Sequence, residues 1–540
     1  WETILKTAKN DENYCKINKQ ILTYLTGFTL NSNAIFGVIA QNLKQPELAL
    51  DNWTRNTRLA SFVGDLNLYA ISQKQSLALI NEFDENDTLK IRYNISERLG
   101  KLLASSNPAE AMEYLPDAIS NAQAIGDSPK EVELLAYLAS CCRKTGNYFG
   151  EVECVDAVLE KVKPENELDI ALLKVTKLSA LLNIGNSGQI INMIDNEIMP
   201  VLDRYFSKNQ SPKDSKFGFM YETWLRTYLI LANALVMQGN DRSFEILAIL
   251  FDIIDRNSIK DALFICKCKL TLAFANTMKG NFQASEQMLN EVLKLYREDV
   301  MDNETIIRWN FINILNNFFR KRYNRMQEDL FQIVTFANNN GDNFTKNILK
   351  TLLGKVFQDN NNSKQAIEIY NDQVAYFAKE KMAIGALLAW YLIADATLEV
   401  EGPRNAMEIA EQALEVAQNP KINNYFFTIL LKTVIAKCAL TNSDFETANI
   451  HIEGAILIAR KFNMKDILSR LYVLYGKYFQ ELGLAKSDKQ VEYLQASNKL
   501  YSQAKELVEK TKNKHVYQDL KKAQSVLNSF CKLHSIELEG

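Results

Sequence analysis

The chain has 540 residues, among them 20 Gly and 9 Pro, with 47% hydrophobic and 24% charged residues. So few glycines and prolines exclude collagen-like, linker-dominated and turn-dense β architectures, and the apolar fraction excludes global disorder. The 62 basic and 65 acidic residues leave a formal charge of -3, so no overall excess draws the protein to nucleic acid or to an anionic membrane.

In chain order the sequence predicts helices from end to end. Small or compact residues recur in the middle of apolar helical patterns at Gly37, Gly100, Ala139, Ser179, Ala232, Ala273, Ile314, Gly354, Ala394, Ala436 and Gly476, mostly 39 to 42 residues apart. Seven positions further on comes a turn residue at Asn107, Gly146, Gly239, Gly280, Asn361, Ser443 and Gly483. Each repeat therefore reads as helix, turn, helix. The second helix carries a small residue and then larger or apolar ones four and seven positions on, as in Ala111, Leu115 and Ala118, or Ala366, Tyr370 and Gln373. Such spacing lies on one helical face. Small residues facing each other let the two helices approach closely, and the bulky neighbour is expected to fill the groove of the next unit.

Irregular steps mark insertions. Between Gly37 and Gly100 the step is 63 residues, which leaves room for an extra helix at 66–83 and an acidic loop at 84–87. Residues 207–216 are expected to form an exposed loop and 484–490 a further insertion. Around Ile314 and Met326 the small residues are replaced, so a looser hairpin is expected there. The most apolar run, Met382 to Ala394, ends at Asp395 and is shorter than the 18 or more residues that span a bilayer. It reads as a buried helix, and no membrane partner is expected. The division expected is an N-terminal helical cap at 1–30, a repeat array at 31–485 and capping helices at 486–540. The chain opens at Trp1 without an initiator methionine, so a preceding part of the protein is expected.

Chemistry-bearing motifs are sparse. The sequence contains neither Gly-x-x-x-x-Gly-Lys-Ser/Thr nor Gly-x-Gly-x-x-Gly, and its 3 histidines, His451, His515 and His534, form no zinc or triad motif. Cys266 and Cys268 are two apart, which points their thiols in different directions on a helix. The 8 cysteines lie mostly within apolar helical patterns, as expected of core residues in a reducing cytoplasm. The sequence therefore predicts no catalysis, no cofactor and no metal site. An α/α-toroid carbohydrate-active enzyme is the remote alternative, since it also stacks helical hairpins around carboxylates, but such a barrel does not enforce small residues at a fixed phase.

With these residues the sequence resembles the tetratricopeptide repeat family, in a variant of about 40 residues. The copies that carry the resemblance include Trp390, Ile393-Ala394, Ala406, Ala410 and Ala413-Leu414, then Leu138-Ala139, Gly146-Asn147-Tyr148 and Val158-Leu159, and Leu272-Ala273, Gly280-Asn281-Phe282 and Leu289. One departure is Glu151, which stands where alanine is usual. The resemblance implies an all-α fold, an α-solenoid forming a right-handed superhelix of about ten to eleven hairpins, with an extended concave surface for another protein or a peptide. It further implies that partner contacts come from the first helix of each unit: Asn94, Lys101, Arg143, Arg226, Asn233, Arg308, Lys355, Tyr391, Lys437 and Lys477, with Gln358, Asp395 and Arg470 beside them. The function expected is a non-catalytic scaffold or sensor module of a larger signalling regulator. The alternative is a stand-alone receptor for a peptide signal.

Overall fold

A computed structural model describes residues 15–80, 83, 85–162, 167–206, 215–295, 302–339, 343–485, 489–534 and 536–538. Among the described residues the chain is all-α and no strand occurs. It is an α-solenoid of helical hairpins that divides into two compact units, residues 1–163 and 164–540.

The first unit contains α1 (Cys15–Asn42), α2 (Pro46–Val63), α3 (Leu66–Ile80), α4 (Glu85–Ser106), α5 (Pro108–Ile125), α6 (Ser128–Thr145) and α7 (Tyr148–Lys161). Its helix ends follow from local chemistry. Gly126 closes α5 at φ 79°, and the next residue but one starts α6, with the Asp127 carboxylate accepting the Lys130 amide at 3.2 Å. A left-handed glycine followed by an acceptor side chain thus ends one helix and caps the next. The extra helix expected in the long step is α3. The acidic loop is corrected: α4 already begins at Glu85, and Asp84 lies outside the described residues.

The second unit contains α8 (Glu167–Ile184), α9 (Ser187–Met193), a π-helical turn (Ile194–Ile198), α10 (Met199–Phe206), α11 (Ser215–Gln238), α12 (Arg242–Arg256), α13 (Ala262–Lys279) and α14 (Phe282–Leu295). It continues with α15 (Asn303–Phe319), α16 (Tyr323–Asn339), α17 (Asn343–Asp359), α18 (Ser363–Lys379), α19 (Ala383–Val400) and α20 (Pro403–Gln418). It closes with α21 (Tyr425–Thr441), α22 (Phe445–Lys461), α23 (Lys465–Ala485), α24 (Gln490–Thr511) and α25 (Lys514–Leu533). Of the loop expected at 207–216, residues 207–214 lie outside the described residues and α11 begins at Ser215. At the expected 484–490 insertion, α23 continues to Ala485 and α24 begins at Gln490.

Successive helices pack side by side, and first helices also touch first helices, α11 on α13, α13 on α15, α17 on α19 and α19 on α21. The small-residue pattern explains the close pairing. A Cβ on Gly100 would stand 2.6 Å from Leu115, and one on Gly354 would overlap the Tyr370 ring, which is fully buried. The bulky residue therefore seats on the glycine of its own hairpin and also shares a core with the next unit, as the spacing suggests: Tyr370 with Leu392 and Ile393, and Leu115 with Leu134 and Leu135. Burying such a ring contributes about 1.5–3 kcal/mol, and removing it leaves a cavity. At α15 and α16 the contact is made instead by Ile314 and Met326, both fully buried, so apolar bulk fills the space that a glycine leaves open elsewhere.

Among the described residues, α19 alone is long and apolar enough to cross a membrane by length and composition. The helix extends past the apolar run through Asp395 to Val400, and half of it is buried inside the fold. Its apolarity fits that burial, with Leu387, Leu392 and Ala394 fully enclosed by neighbouring hairpins.

The second unit also meets itself. The ends of α8, α11, α13 and α15 abut the starts of helices roughly 190 residues further along the chain. Ser187 Oγ donates to the Ile422 carbonyl at 2.8 Å, and the Gly188 and Gln189 amides donate to Ile422 and Lys421 at 3.2 and 3.0 Å. Asn424 Nδ2 donates to Met237 O at 2.8 Å, while Arg470 and Asn513 both donate to Phe319 O, at 2.6 and 3.2 Å. The Lys279 ammonium, 4% exposed, donates to Gly239 O at 2.9 Å and to Phe462 O across the junction. Burial pushes its pKa down to about 8. Phe319 and Phe426 rings meet edge-on at 5.7 Å in the same junction. At Met237 and Phe319, carbonyls at helix C-termini accept from the N-cap side chains Asn424 and Asn513 of facing helices, a pairing the helix dipoles also favour. The sequence predicts an open concave surface; in this unit one turn of hairpins lies directly against the next.

Candidate functional site

In each first helix the residue after the small one points about 100° away from the hairpin contact, towards the face that neighbouring first helices share. In four successive repeats of the second unit that residue is Lys355, Asp395, Lys437 and Lys477. Lys355 Nζ lies 3.2 Å from the Asp395 carboxylate and Lys437 Nζ 3.3 Å from it, so α17, α19 and α21 are bridged by one carboxylate between two ammonium groups. Asp359, one turn on, stands 3.9 Å from Lys355. Burial alone would raise the Asp395 pKa, but the two ammonium groups outweigh it and hold the carboxyl well below the usual carboxylate range. Asp395 in turn raises Lys437. The Lys437 side chain keeps 42% exposure, so water screens its half of the bridge.

Around this bridge the face is polar. Tyr391, one turn before Asp395, is pushed up by burial and by that carboxylate. Gln358 donates to Glu399 at 2.9 Å, joining α17 to α19 a second time. Arg470 on α23 donates to Asp466 at 3.0 Å as well as to Phe319 O, and Asn513 also donates to Asp466, at 2.8 Å. Further back along the row, Arg308 on α15 donates to Asn233 on α11 and, at 3.1 Å, to Thr271 on α13. One guanidinium thereby ties three consecutive first helices together.

The expected partner-binding residues fall into three groups. Lys355, Tyr391 and Lys437 come together around Asp395, and Arg308 and Asn233 join each other; Asn233 is buried, so its amide serves the fold. Arg226 pairs with Glu222 one turn away at 2.6 Å on an exposed surface, and Lys477 is exposed. In the first unit, Asn94 is exposed, whereas Lys101 bridges Glu97 and Glu133 at 2.7 Å each and lies over the Tyr137 ring. Arg143 donates to Glu151 at 2.7 Å. That pairing explains the unusual Glu151: fully buried, its carboxyl is pushed up by burial while Arg143 opposes the shift.

Lys279, Asn424, Asp466, Asn513 and Thr271 form no part of the expected set, yet they complete these networks. Asp395, at the end of the most apolar run of the chain and one position after Ala394, was expected beside that set. Among the described residues, no group of three or more His, Cys, Asp and Glu side chains is arranged to hold a metal ion. What the arrangement offers is a row of paired charges one repeat apart, suited to charge-assisted hydrogen bonds with an extended chain.

No family model matches the sequence, and no curated protein matches it. Among solved structures, the chain is similar to the APC/C hetero-tetramer Cut9-Hcn1, with a TM-score of 0.48 and 13% identity over 94% of this chain and 97% of that one. It is similar to a Rap protein complexed with competence and sporulation factor, TM-score 0.41 and 13% identity, over 56% of this chain and 86% of that one. A third similar structure is a signal transduction ATPase with a tetratricopeptide repeat sensor from Pyrococcus horikoshii, TM-score 0.36 and 13% identity, covering 87% of this chain and 74% of that one.

Proposed function

We propose that the chain is a non-catalytic protein- or peptide-binding module that presents the shared face of its first helices to another polypeptide. The observation that supports this is the ladder Lys355, Asp395, Lys437 and Lys477, the same position in four successive repeats. A charge repeated at a fixed step suits a polymer with its own regular spacing better than a compact substrate. The reading includes a role within a larger regulator in the cytoplasm. Cys141, Cys142, Cys154, Cys266, Cys268, Cys438 and Cys531, buried free thiols, are consistent with that compartment.

The test is selection of linear random peptides displayed on phage, followed by affinity measurement of the enriched sequences. Lys437→Glu with Lys477→Glu is expected to weaken capture at least tenfold while the circular dichroism spectrum is kept. Capture that survives the double substitution removes the ladder from the binding face.

A further inference from the structure

We infer that the seam of the second unit is a latch, and that a partner taking the Lys355–Asp395–Lys437 face selects a state in which the seam has opened. This rests on the binding role proposed above and adds how the face is reached. Within a hairpin the helices interlock, with the Tyr370 ring seated on Gly354 and the Tyr501 ring on Gly476. Across the seam the apolar contacts are confined to helix ends, Met464 over Gly239 and the Phe319 ring against Phe426, and the polar contacts are of another kind. They run between helix ends and loops, through Asn424, Lys279, Arg470 and Asn513 side chains and the Gly188 and Gln189 amides, each donating to a backbone carbonyl. Sub-global opening follows the boundary that interlocks least, which here is the seam.

The charges point the same way. In the closed turn Asp395 satisfies Lys355 and Lys437, and Arg470 is held by Asp466 and by Phe319 O from across the seam. The chain thus occupies its own face, and Arg470 belongs both to that face and to the junction. A carboxylate-bearing partner that draws Arg470 away from Phe319 O weakens the seam, and an opened seam frees Arg470. Binding and opening are linked, with the partner favouring whichever state it contacts better.

Two ligand-free measurements test the latch. In the wild type, the seam amides of Gly188 and Gln189 are expected to exchange with deuterium at least a hundredfold faster than helix-centre amides such as that of Leu392. In the variant Asn424→Asp with Asn513→Asp, both helix N-caps keep an acceptor but lose the amide donor and place a negative charge against Met237 O and Phe319 O. Labelling of Lys355, whose side chain is only 12% exposed in the closed turn, by an amine-reactive reagent, mapped by mass spectrometry, is expected to rise at least tenfold, with helical content retained. Seam amides that exchange only at the rate of Leu392, or lysine labelling unchanged in a folded variant, overturn the latch. Should the variant lose its helices, the wild-type exchange decides alone. Failure to select any peptide tells against the binding role, whereas these two readouts judge the latch without a ligand.

Discussion

Left-handed glycines end helices in both units, at Gly64, Gly126 and Gly146 in the first and at Gly185, Gly239 and Gly280 in the second. In the first unit nothing lies within 4 Å of where a Cβ would stand at any of the three. In the second, a Cβ would meet Ile384 at 2.8 Å from Gly185, and would overlap Met464 and Asp466 at Gly239 and Gly280. The same turn chemistry therefore serves two ends. In the first unit glycine supplies only a backbone conformation; in the second it also admits another turn of the array. Elsewhere in the second unit, at exposed turn positions, Asn361 and Ser443 adopt the same conformation at φ 60° and 58° without glycine.

Alanine substitution separates the two kinds of turn. Gly280→Ala is expected to cost about 2–4 kcal/mol, about 1 for the left-handed backbone and the rest for overpacking against Asp466. Gly126→Ala is expected to cost only about 1 kcal/mol. Urea unfolding of each variant reads the difference, and equal costs would dissolve the distinction between the units.

A second test concerns Lys279. Its pKa is lower in the folded than in the unfolded chain, so the unfolded chain binds more protons between about pH 8 and pH 10.5. Its contribution is therefore full above the unfolded value and declines as pH falls through about 8. The penalty of Lys279→Met, measured by unfolding at several pH values, is expected to be larger at pH 10 than at pH 7 by up to about 3 kcal/mol. A flat difference would mean that the ammonium is hydrated and the seam already open.

Asp395 carries an acid-side counterpart. Its carboxyl is held below the ordinary range, so the stability it contributes is present above its unfolded pKa of about 4 and is lost as pH falls below that. Asp395→Asn is expected to cost about 1–2 kcal/mol at pH 7, because it leaves Lys355 and Lys437 uncompensated on a partly solvated face. The variant should also lose part of the wild-type decline in stability below pH 4. The smallest effect is expected at Arg226→Ala, whose exposed pair with Glu222 is worth at most about 0.5 kcal/mol. A larger loss there would assign Arg226 a contact beyond its own helix.

Much of the hairpin architecture was legible because side-chain volume encodes it. A small residue such as Gly354 and a ring such as Tyr370 are complementary halves of one contact, and their spacing repeats. The ladder was legible for the same reason, since Lys355, Asp395 and Lys437 follow the small residue by one. The seam was not. Its acceptors are carbonyls, which leave no mark in a sequence, and its donors have ordinary local explanations: Asn424 and Asn513 are helix N-caps, and Lys279 lies in the last turn of a helix, where basic residues are common. Nor does a sequence specify the small rotation per hairpin that decides whether one turn touches the next. The faint signal that existed was the choice of glycine at Gly239 and Gly280 where Asn361 and Ser443 suffice elsewhere.

The seam also changes what the protein can tolerate as a lineage. An open row of hairpins grows or shrinks by duplication or deletion at little cost, since each unit answers only to its neighbours. Here Lys279 must reach Phe462 O and Asn424 must reach Met237 O. One hairpin gained between α13 and α19 would carry every such donor past its acceptor, so the number of repeats in that interval is fixed by a closure condition, as the number of staves is in a barrel.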